Sequence, residues 1–184
     1  MTDIPKSLSE VTSVWLEKQF RDAGHEIPEL LSFTHKPMDG FTGAMGEVGI
    51  FTIEWSDSTK TDLPDSFVAK CPLDDDIARM YNEVMQYYIR ESGFYADLAS
   101  EIDMRIPSCW VNRFDHETGR AFLLLEYIGH AEKGDILHGC SEDVMRALVT
   151  DLAKMHGKYW MDERLLDIPW LLDWKAESLQ LGID

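Results

Sequence analysis

Residues 66–98 have the sequence SFVAKCPLDDDIARMYNEVMQYYIRESGFYADL, which predicts a buried strand followed by a helix. The run at 66–70 is short, apolar and closed by Lys70, which is typical of a strand in the interior of a sheet. Three consecutive Asp residues follow at 74–76. We interpret their carboxylates as caps and dipole partners of a helix N-terminus, in preference to a metal-binding cluster.

The helix expected after these carboxylates carries an apolar stripe. Its members are Ile77, Met80, Tyr81, Val84, Tyr88, Tyr95 and Leu98. At about 100° per residue, Glu91 falls close to the middle of this stripe. Because a buried charge is costly without a partner, we expect Glu91 to pair with Lys70. Two alternatives remain: Glu91 follows a break at Ser92 and Gly93 and faces water, or Glu83, at the edge of the stripe, faces the lysine.

The strand pattern around this unit indicates an α+β fold. Alternation of Phe51, Ile53 and Trp55 predicts a strand with one buried face. The expected strands span residues 33–36, 47–55, 66–70, 106–114 and 120–127, and the last two form a hairpin across a turn at 116–119. The sequence therefore predicts a mostly antiparallel sheet that carries one long helix.

Helices are also expected at both ends of the chain. A capping box at 7–10 predicts the start of an amphipathic helix that Gly24 ends. After Ile128 a polar, glycine-bearing segment predicts a linker, and Ser141 then caps a helix that runs to about Trp160. The apolar residues beyond it favour further helix.

Composition excludes several classes of function. The formal net charge of −17 argues against binding nucleic acid or an anionic membrane surface, because both carry negative charge. Cys71, Cys109 and Cys140 lie too far apart for the usual zinc spacings and form no disulfide framework. The sequence has no secretory signal pattern and no apolar run of membrane-spanning length. We therefore expect a cytoplasmic protein.

Three glycines separate the first two predicted strands. Gly40, Gly43 and Gly46 have the spacing G-x-x-G-x-x-G, which departs from the G-x-G-x-x-G of protein kinases. Glycines at such a turn bring backbone N–H groups close to a phosphate, since no side chain intervenes. Glycines between strands are usually only turn residues, so the spacing alone is a weak signal for phosphate binding and leaves both interpretations open.

Four short motifs follow one another after the strand–helix unit. Residues 90–95 are RESGFY, Ile106 and Pro107 precede a strand, residues 122–128 are FLLLEYI, and residues 152–160 are LAKMHGKYW. In order and spacing these motifs resemble the R-E-x-x-F-Y motif, the hinge strand and the L-x-x-L-H-A-x-x-W helix of the aminoglycoside phosphotransferases. Their choline-kinase and ecdysteroid-kinase-like relatives share this pattern.

The resemblance, which covers roughly residues 30–175, implies a protein-kinase-like fold. Residues 1–128 would form the N-terminal, nucleotide-binding lobe. Residues 129–184 would form the linker and the first helices of a truncated helical C-terminal lobe. His156, within the last motif, is expected to pack between helices and not to touch substrate.

The resemblance also implies roles in binding ATP. Lys70 would contact the α- and β-phosphates, and Glu91 would orient Lys70. Gly40, Gly43 and Gly46 would cover the phosphates. Backbone groups of Glu126, Tyr127 and Ile128 would contact the adenine.

The catalytic residues of this family are absent from the sequence. Phosphoryl transfer by this family needs a base and a Mg²⁺-binding Asn, typically as H-x-D-x-x-x-x-N. The chain has two Asn residues, and the residues five positions before Asn82 and Asn112 are Ile77 and Pro107, not Asp. We therefore expect no catalytic or metal-binding residue in this chain, and Mg²⁺ binding only with residues of the missing part.

Three functions stay open at this stage. The chain can be the ATP-binding portion of a phosphotransferase that acts on a hydroxyl of a small molecule. It can be a non-catalytic module that binds a nucleotide or a partner protein, or an acidic interaction domain without a nucleotide. Helices that lack the rest of their lobe would expose apolar residues such as Trp160, Leu171 and Trp174, and we expect self-association through them.

We predict that the purified chain of residues 1–184 has no kinase turnover, because the base and the metal ligands are missing. The measurement is ADP formation from MgATP with candidate hydroxylated acceptors, followed by ³¹P NMR. A metal-dependent phosphoryl transfer that is lost in Lys70→Ala would contradict this prediction.

Overall fold

The fold is α+β and is built on a five-stranded antiparallel sheet. The structure, a computed structural model, describes residues 4–38, 46–131, 134–135 and 137–171. Its strands are β1 (Leu30–Pro37), β2 (Gly46–Trp55), β3 (Ser66–Pro72), β4 (Cys109–Phe114) and β5 (Ala121–Glu126). They lie in the order β1-β2-β3-β5-β4, and each neighbouring pair is antiparallel. The predicted α+β class and antiparallel sheet are confirmed.

Four α-helices flank or follow the sheet in the described part of the chain. They are α1 (Ser13–Asp22), α2 (Asp76–Met85), α3 (Tyr87–Gly93) and α4 (Glu142–Tyr159). A π-helical turn (Phe94–Leu98) continues α3, and short 3₁₀ turns occur at Leu8–Glu10, Ser58–Lys60, Ala99–Glu101 and Glu163–Asp167. None of the helices among the described residues is long and apolar enough to cross a bilayer.

The hydrophobic core lies between α1 and one face of the sheet. Phe51, Ile53 and Trp55 all point to this face and are buried, as their alternation predicts. Phe20 of α1 is fully buried, and its ring lies 5.5 Å from that of Phe67 on β3. Each such side chain contributes roughly 1.5–3 kcal/mol by leaving water, so this face fixes the sheet on α1.

The predicted start of α1 is wrong, and its predicted end is confirmed. Thr12, and not Ser7, caps α1, because its side chain accepts a hydrogen bond from the N–H of Trp15 at 3.2 Å. Glu10 accepts from the N–H of Lys6, and Leu8–Glu10 forms a separate 3₁₀ turn. Gly24 ends α1 with φ of 87°, a left-handed conformation that favours glycine.

The single long helix predicted after β3 is interrupted. Gln86 has φ of 54°, and its N–H donates to the carbonyl of Asn82 at 2.7 Å, which ends α2. The side chain of Asn82 then accepts from the N–H of Tyr88, so α3 begins in a new direction. As a result Ile77 and Val84 of α2 are exposed, whereas Tyr88 on α3 is buried. The apolar stripe therefore does not continue across the break.

The β4–β5 hairpin forms as predicted but contains an irregularity. The turn is closed by hydrogen bonds from Asp115 N–H to the Arg120 carbonyl and from Gly119 N–H to the Asp115 carbonyl. The register shifts between Cys109 and Val111, which leaves one extra residue in β4. Such a β-bulge changes the face to which the following side chains point.

Helix α4 follows the β-sheet at the predicted position. Ser141 accepts from the N–H of Val144 at 3.4 Å, and the helix ends at Tyr159. Every described residue of α4 keeps some exposure, and none is buried. Trp160 after the helix is 78% exposed and Leu171 is half-buried, whereas Trp174 lies outside the described residues.

We predict that Gly46→Ala destabilises the fold by roughly 1–3 kcal/mol, because this glycine is a point of close approach. A Cβ at Gly46 would lie 1.7 Å from the hydroxyl oxygen of Tyr88 and 2.9 Å from the Cys71 carbonyl oxygen. The hydroxyl of Tyr88 donates to that carbonyl at 3.1 Å, so the added methyl group would displace a buried hydrogen bond. Urea unfolding followed by tryptophan fluorescence measures the change.

Gly157→Ala is the matched control, since a Cβ there meets nothing within 4 Å and alanine favours the helix. We expect this variant to be as stable as the unmodified chain or slightly more stable. Equal effects of the two substitutions would refute the packing role of Gly46.

Candidate functional site

The face of the sheet opposite α1 carries two parallel rows of side chains. In one row Ile50, Val68 and Leu125 lie side by side on β2, β3 and β5. In the next row, two residues along β3, Lys70 lies opposite Leu123. Directly paired residues of an antiparallel sheet point to the same face, and the rows are about 7 Å apart. The sheet thus places an apolar row beside a charged one.

Lys70 and Glu91 form an ion pair in the second row. The ammonium nitrogen of Lys70 lies 2.5 Å and 2.7 Å from the two carboxylate oxygens of Glu91. Both side chains are partly buried, with exposed fractions of 26% and 30%. Glu83 is exposed on α2. The predicted pairing is confirmed, and the two alternatives, a solvent-facing Glu91 and a Glu83 partner, are excluded.

The helix phase that predicts this pairing is wrong. It places Glu91 at the centre of a stripe shared with Ile77 and Val84, but these two residues are exposed and belong to a different helix. Glu91 reaches the sheet because α3 is anchored on either side of it. Tyr88 donates to the Cys71 carbonyl on β3, and Ser92 contacts β4.

Neutral groups surround the carboxylate of Glu91. Burial, together with the negative charge of Glu91, raises the pKa of Cys109 to about 12 and that of Tyr95 to about 12. Burial also raises the pKa of Tyr88 well above its usual range, with Cys71 and Glu91 adding to the effect. These groups therefore stay protonated at neutral pH and add no charge that would compete with Lys70.

The apolar row forms the floor of an open groove of about 600 Å³. Its lining includes Ile50, Val68 and Leu125 from the sheet, together with Pro107, Tyr127 and Ile128. The remaining lining residues are Lys36, Pro37, Met38, Glu126, Gly129 and Ala131. The groove has the size and the apolar character of a site for a planar organic ligand.

The chain segment after β5 borders this groove, and some of its backbone groups already form hydrogen bonds within the protein. Glu126 donates its N–H to the Ser108 carbonyl, and Ile128 accepts from the N–H of Ala131 at 3.1 Å. The N–H group of Ile128 has no hydrogen-bond partner among the described residues. This donor at the edge of an apolar groove can pair with an acceptor of a bound ring.

The carboxylate of Glu126 has a structural role that the sequence did not indicate. It accepts two hydrogen bonds from the Arg105 guanidinium, at 2.6 Å and 3.0 Å, and one from the Ser108 N–H. Arg105 and this N–H lower the pKa of Glu126. Nothing in the sequence pattern around Arg105 pointed to this contact, which fixes the start of the segment after β5.

Of the three glycines proposed to cover phosphates, one is described. Gly46 begins β2 opposite Pro72 and provides the space for the Tyr88 hydroxyl. Gly40 and Gly43 lie outside the described residues.

Acidic clusters give no metal centre in the described ranges. No group of three or more His, Cys, Asp or Glu side chains among these residues could hold a metal ion. The Asp trio caps α2 as predicted: Asp75 accepts from the N–H groups of Ile77 and Ala78. Its neighbours Asp74 and Asp76 both contact the guanidinium of Arg79.

A second cavity, of about 350 Å³, lies near the β4–β5 turn. It is lined by residues such as Lys6, Arg79 and Arg120 together with Asp74 and Glu83. Because its charges are mixed and largely exposed, and because it lacks Lys70 and Glu91, the groove beside the ion pair is the better candidate site.

Comparisons of the chain with protein-family models, with curated proteins and with solved structures found no match. The geometry of the groove and of the ion pair is therefore the basis for assigning a function.

Proposed function

We propose that this chain is the ATP-binding portion of a small-molecule phosphotransferase with a protein-kinase-like N-terminal lobe. The observation that carries the proposal is the Lys70–Glu91 ion pair in the row beside the apolar groove. A strand lysine held by a helix glutamate is the device with which kinases bind the α- and β-phosphates. The order and spacing of the four motifs support the same assignment.

The shape of the site agrees with a nucleotide. An adenine ring would lie on Ile50, Val68 and Leu125, and the N–H group of Ile128 would pair with one of its ring nitrogens. From there the phosphates would extend about 7 Å along β3 to Lys70. The Lys70 side chain keeps an exposed fraction of 26%, so it would be able to meet a ligand while it remains paired with Glu91.

The reaction would transfer the γ-phosphate of ATP to a hydroxyl of a small substrate. In such enzymes the helical lobe supplies the base, the Mg²⁺ ligands and the substrate site, and the present residues supply the nucleotide site. We propose that the protein works in the cytoplasm, where the free thiols of Cys71, Cys109 and Cys140 stay reduced.

A non-catalytic nucleotide-binding module is the second candidate. It is favoured by the use of both Asn side chains within the fold: Asn82 accepts from the Tyr88 N–H, and Asn112 pairs with Ser92. Neither is available as a metal ligand without breaking these contacts. Both candidates require ATP binding, whereas an acidic interaction domain does not.

We predict that the chain binds ATP and that Lys70→Ala weakens the affinity at least about tenfold. A hydrogen bond between charged groups contributes about 1.5–3 kcal/mol, and 1.4 kcal/mol corresponds to a factor of ten. Isothermal titration calorimetry with ATP measures both affinities at one fixed salt concentration.

Lys60→Ala is the matched control, because Lys60 is 72% exposed and pairs only with Asp57 within its own 3₁₀ turn among the described contacts. Its affinity for ATP is expected to equal that of the unmodified chain. Absence of ATP binding would remove both nucleotide-binding candidates, whereas equal affinity in Lys70→Ala would refute the role of Lys70 in binding the phosphates.

We also propose that the isolated chain self-associates through α4. Val144, Met145, Leu148 and Val149 on this helix are all exposed. A helix in a protein gains most of its stability from packing of its apolar face, and an apolar face of this kind is normally covered.

We predict that light scattering gives a mass above that of the monomer, and that this mass rises with protein concentration. The double variant Leu148→Gln, Val149→Gln is expected to lower it. Val14→Gln serves as control, because Val14 is an isolated valine on α1 that is 80% exposed. A monomer mass at every concentration for the unmodified chain would show that α4 does not mediate association.

A further inference from the structure

The β-bulge in β4 determines where Asn112 points. Cys109 lies opposite Leu125, whereas Asn112 lies opposite Leu123, so three positions along β4 correspond to two along β5. In a regular strand, residues 109 and 112 would point to opposite faces. The extra residue, Trp110, restores Asn112 to the face on which α3 lies.

The bulge is held from the other side of the sheet. His25, directly after the glycine that ends α1, has its Nε2 atom 2.8 Å from the carbonyl oxygen of Trp110. Because a carbonyl oxygen only accepts, Nε2 must carry the hydrogen in this contact. The end of α1 therefore supports the one irregular position of β4.

Asn112 shares a row with Lys70. Lys70 pairs with Leu123, and Leu123 pairs with Asn112, so the two polar residues flank a fully buried leucine. They are two strand spacings apart, about 10 Å. Helix α3 bridges this row with consecutive residues: Glu91 binds Lys70, and Ser92 binds Asn112.

The contact between Ser92 and Asn112 is reciprocal. The Ser92 hydroxyl donates to the side-chain oxygen of Asn112 at 2.6 Å, and the side-chain nitrogen of Asn112 donates to the Ser92 carbonyl at 2.8 Å. Ser92 is buried, so neither partner is readily replaced by water. These two hydrogen bonds to Asn112 fix the distance of α3 from the sheet at Ser92 and the rotation of α3 about its own axis.

We propose that Ser92 and Asn112 are positioning residues for the Lys70–Glu91 ion pair. Their two hydrogen bonds hold α3 at the height above the sheet at which the Glu91 carboxylate meets Lys70. Leu123 is apolar and cannot supply this anchor, and the contact of Tyr88 with β3 fixes only the preceding turn of α3. The effect on nucleotide affinity rests on the proposed function; the effect on the ion pair does not.

The test is a double-mutant cycle with ATP affinity as the first readout. Ser92→Ala removes one hydrogen bond and is expected to raise the dissociation constant roughly 3- to 10-fold. In the Glu91→Gln background the same substitution is expected to change it less than about 2-fold, because no charged pair remains to be positioned. Asn112→Ala removes both hydrogen bonds and is expected to have the larger effect where it folds.

Ser32→Ala is the matched control, since its hydroxyl also donates to one side chain, that of Glu54 on the neighbouring strand, far from α3. This variant is expected to bind ATP like the unmodified chain. Equal factors for Ser92→Ala in the two backgrounds would mean that Ser92 contributes to general stability and not to the pair.

The second readout is the ¹³Cε resonance of Lys70 in lysine-labelled protein without nucleotide, assigned with Lys70→Arg. We expect Ser92→Ala to move this resonance toward its position in Glu91→Gln, and Ser32→Ala to leave it unchanged. An unmoved resonance in Ser92→Ala overturns the positioning role. If the unmodified chain binds no ATP, the proposed function fails, and this resonance alone decides the role of Ser92 and Asn112.

Discussion

The register between β3 and β5 is the constraint on which the rest of the site depends. It places Lys70 opposite Leu123 and Val68 opposite Leu125, so the charged and the apolar rows lie side by side. A slip of one residue would turn Lys70 into the core against α1, where the buried charge would have no partner. The fully buried Phe67 and Phe122 oppose such a slip, because their rings would then leave the core.

The ion pair is stable in this position because it is neither fully buried nor fully exposed. Complete burial would make the desolvation of both groups costly. Full exposure would leave their attraction with little effect on the free energy of folding, because water screens exposed charges. Leu123 beside Lys70 is fully buried, and Tyr95 and Cys109 stay neutral. The side chains of Lys70 and Glu91 keep exposed fractions of 26% and 30%, so an anionic ligand can reach Lys70.

Sequence patterns predicted the strands well, because a strand with one buried face shows its alternation directly, as in Phe51, Ile53 and Trp55. The pairing of Lys70 with Glu91 was also predicted, although through a helix phase that is wrong. The break at Gln86 escaped prediction since this residue has no intrinsic preference for a positive φ. The break depends on Asn82, which accepts from the Tyr88 N–H only once the chain has turned.

The contacts that complete the site were beyond sequence analysis for a related reason. Asn112 reaches α3 only through a register shift, and a bulge leaves no trace in hydrophobic periodicity when the extra residue is an apolar Trp110. Ser92 beside Gly93 suggested a helix end, yet its hydroxyl is one of the anchors of α3. Hydrophobic patterns thus specify which faces are buried, whereas pairs of polar side chains from distant segments set the spacing between those faces. In this chain that spacing decides whether Glu91 meets Lys70.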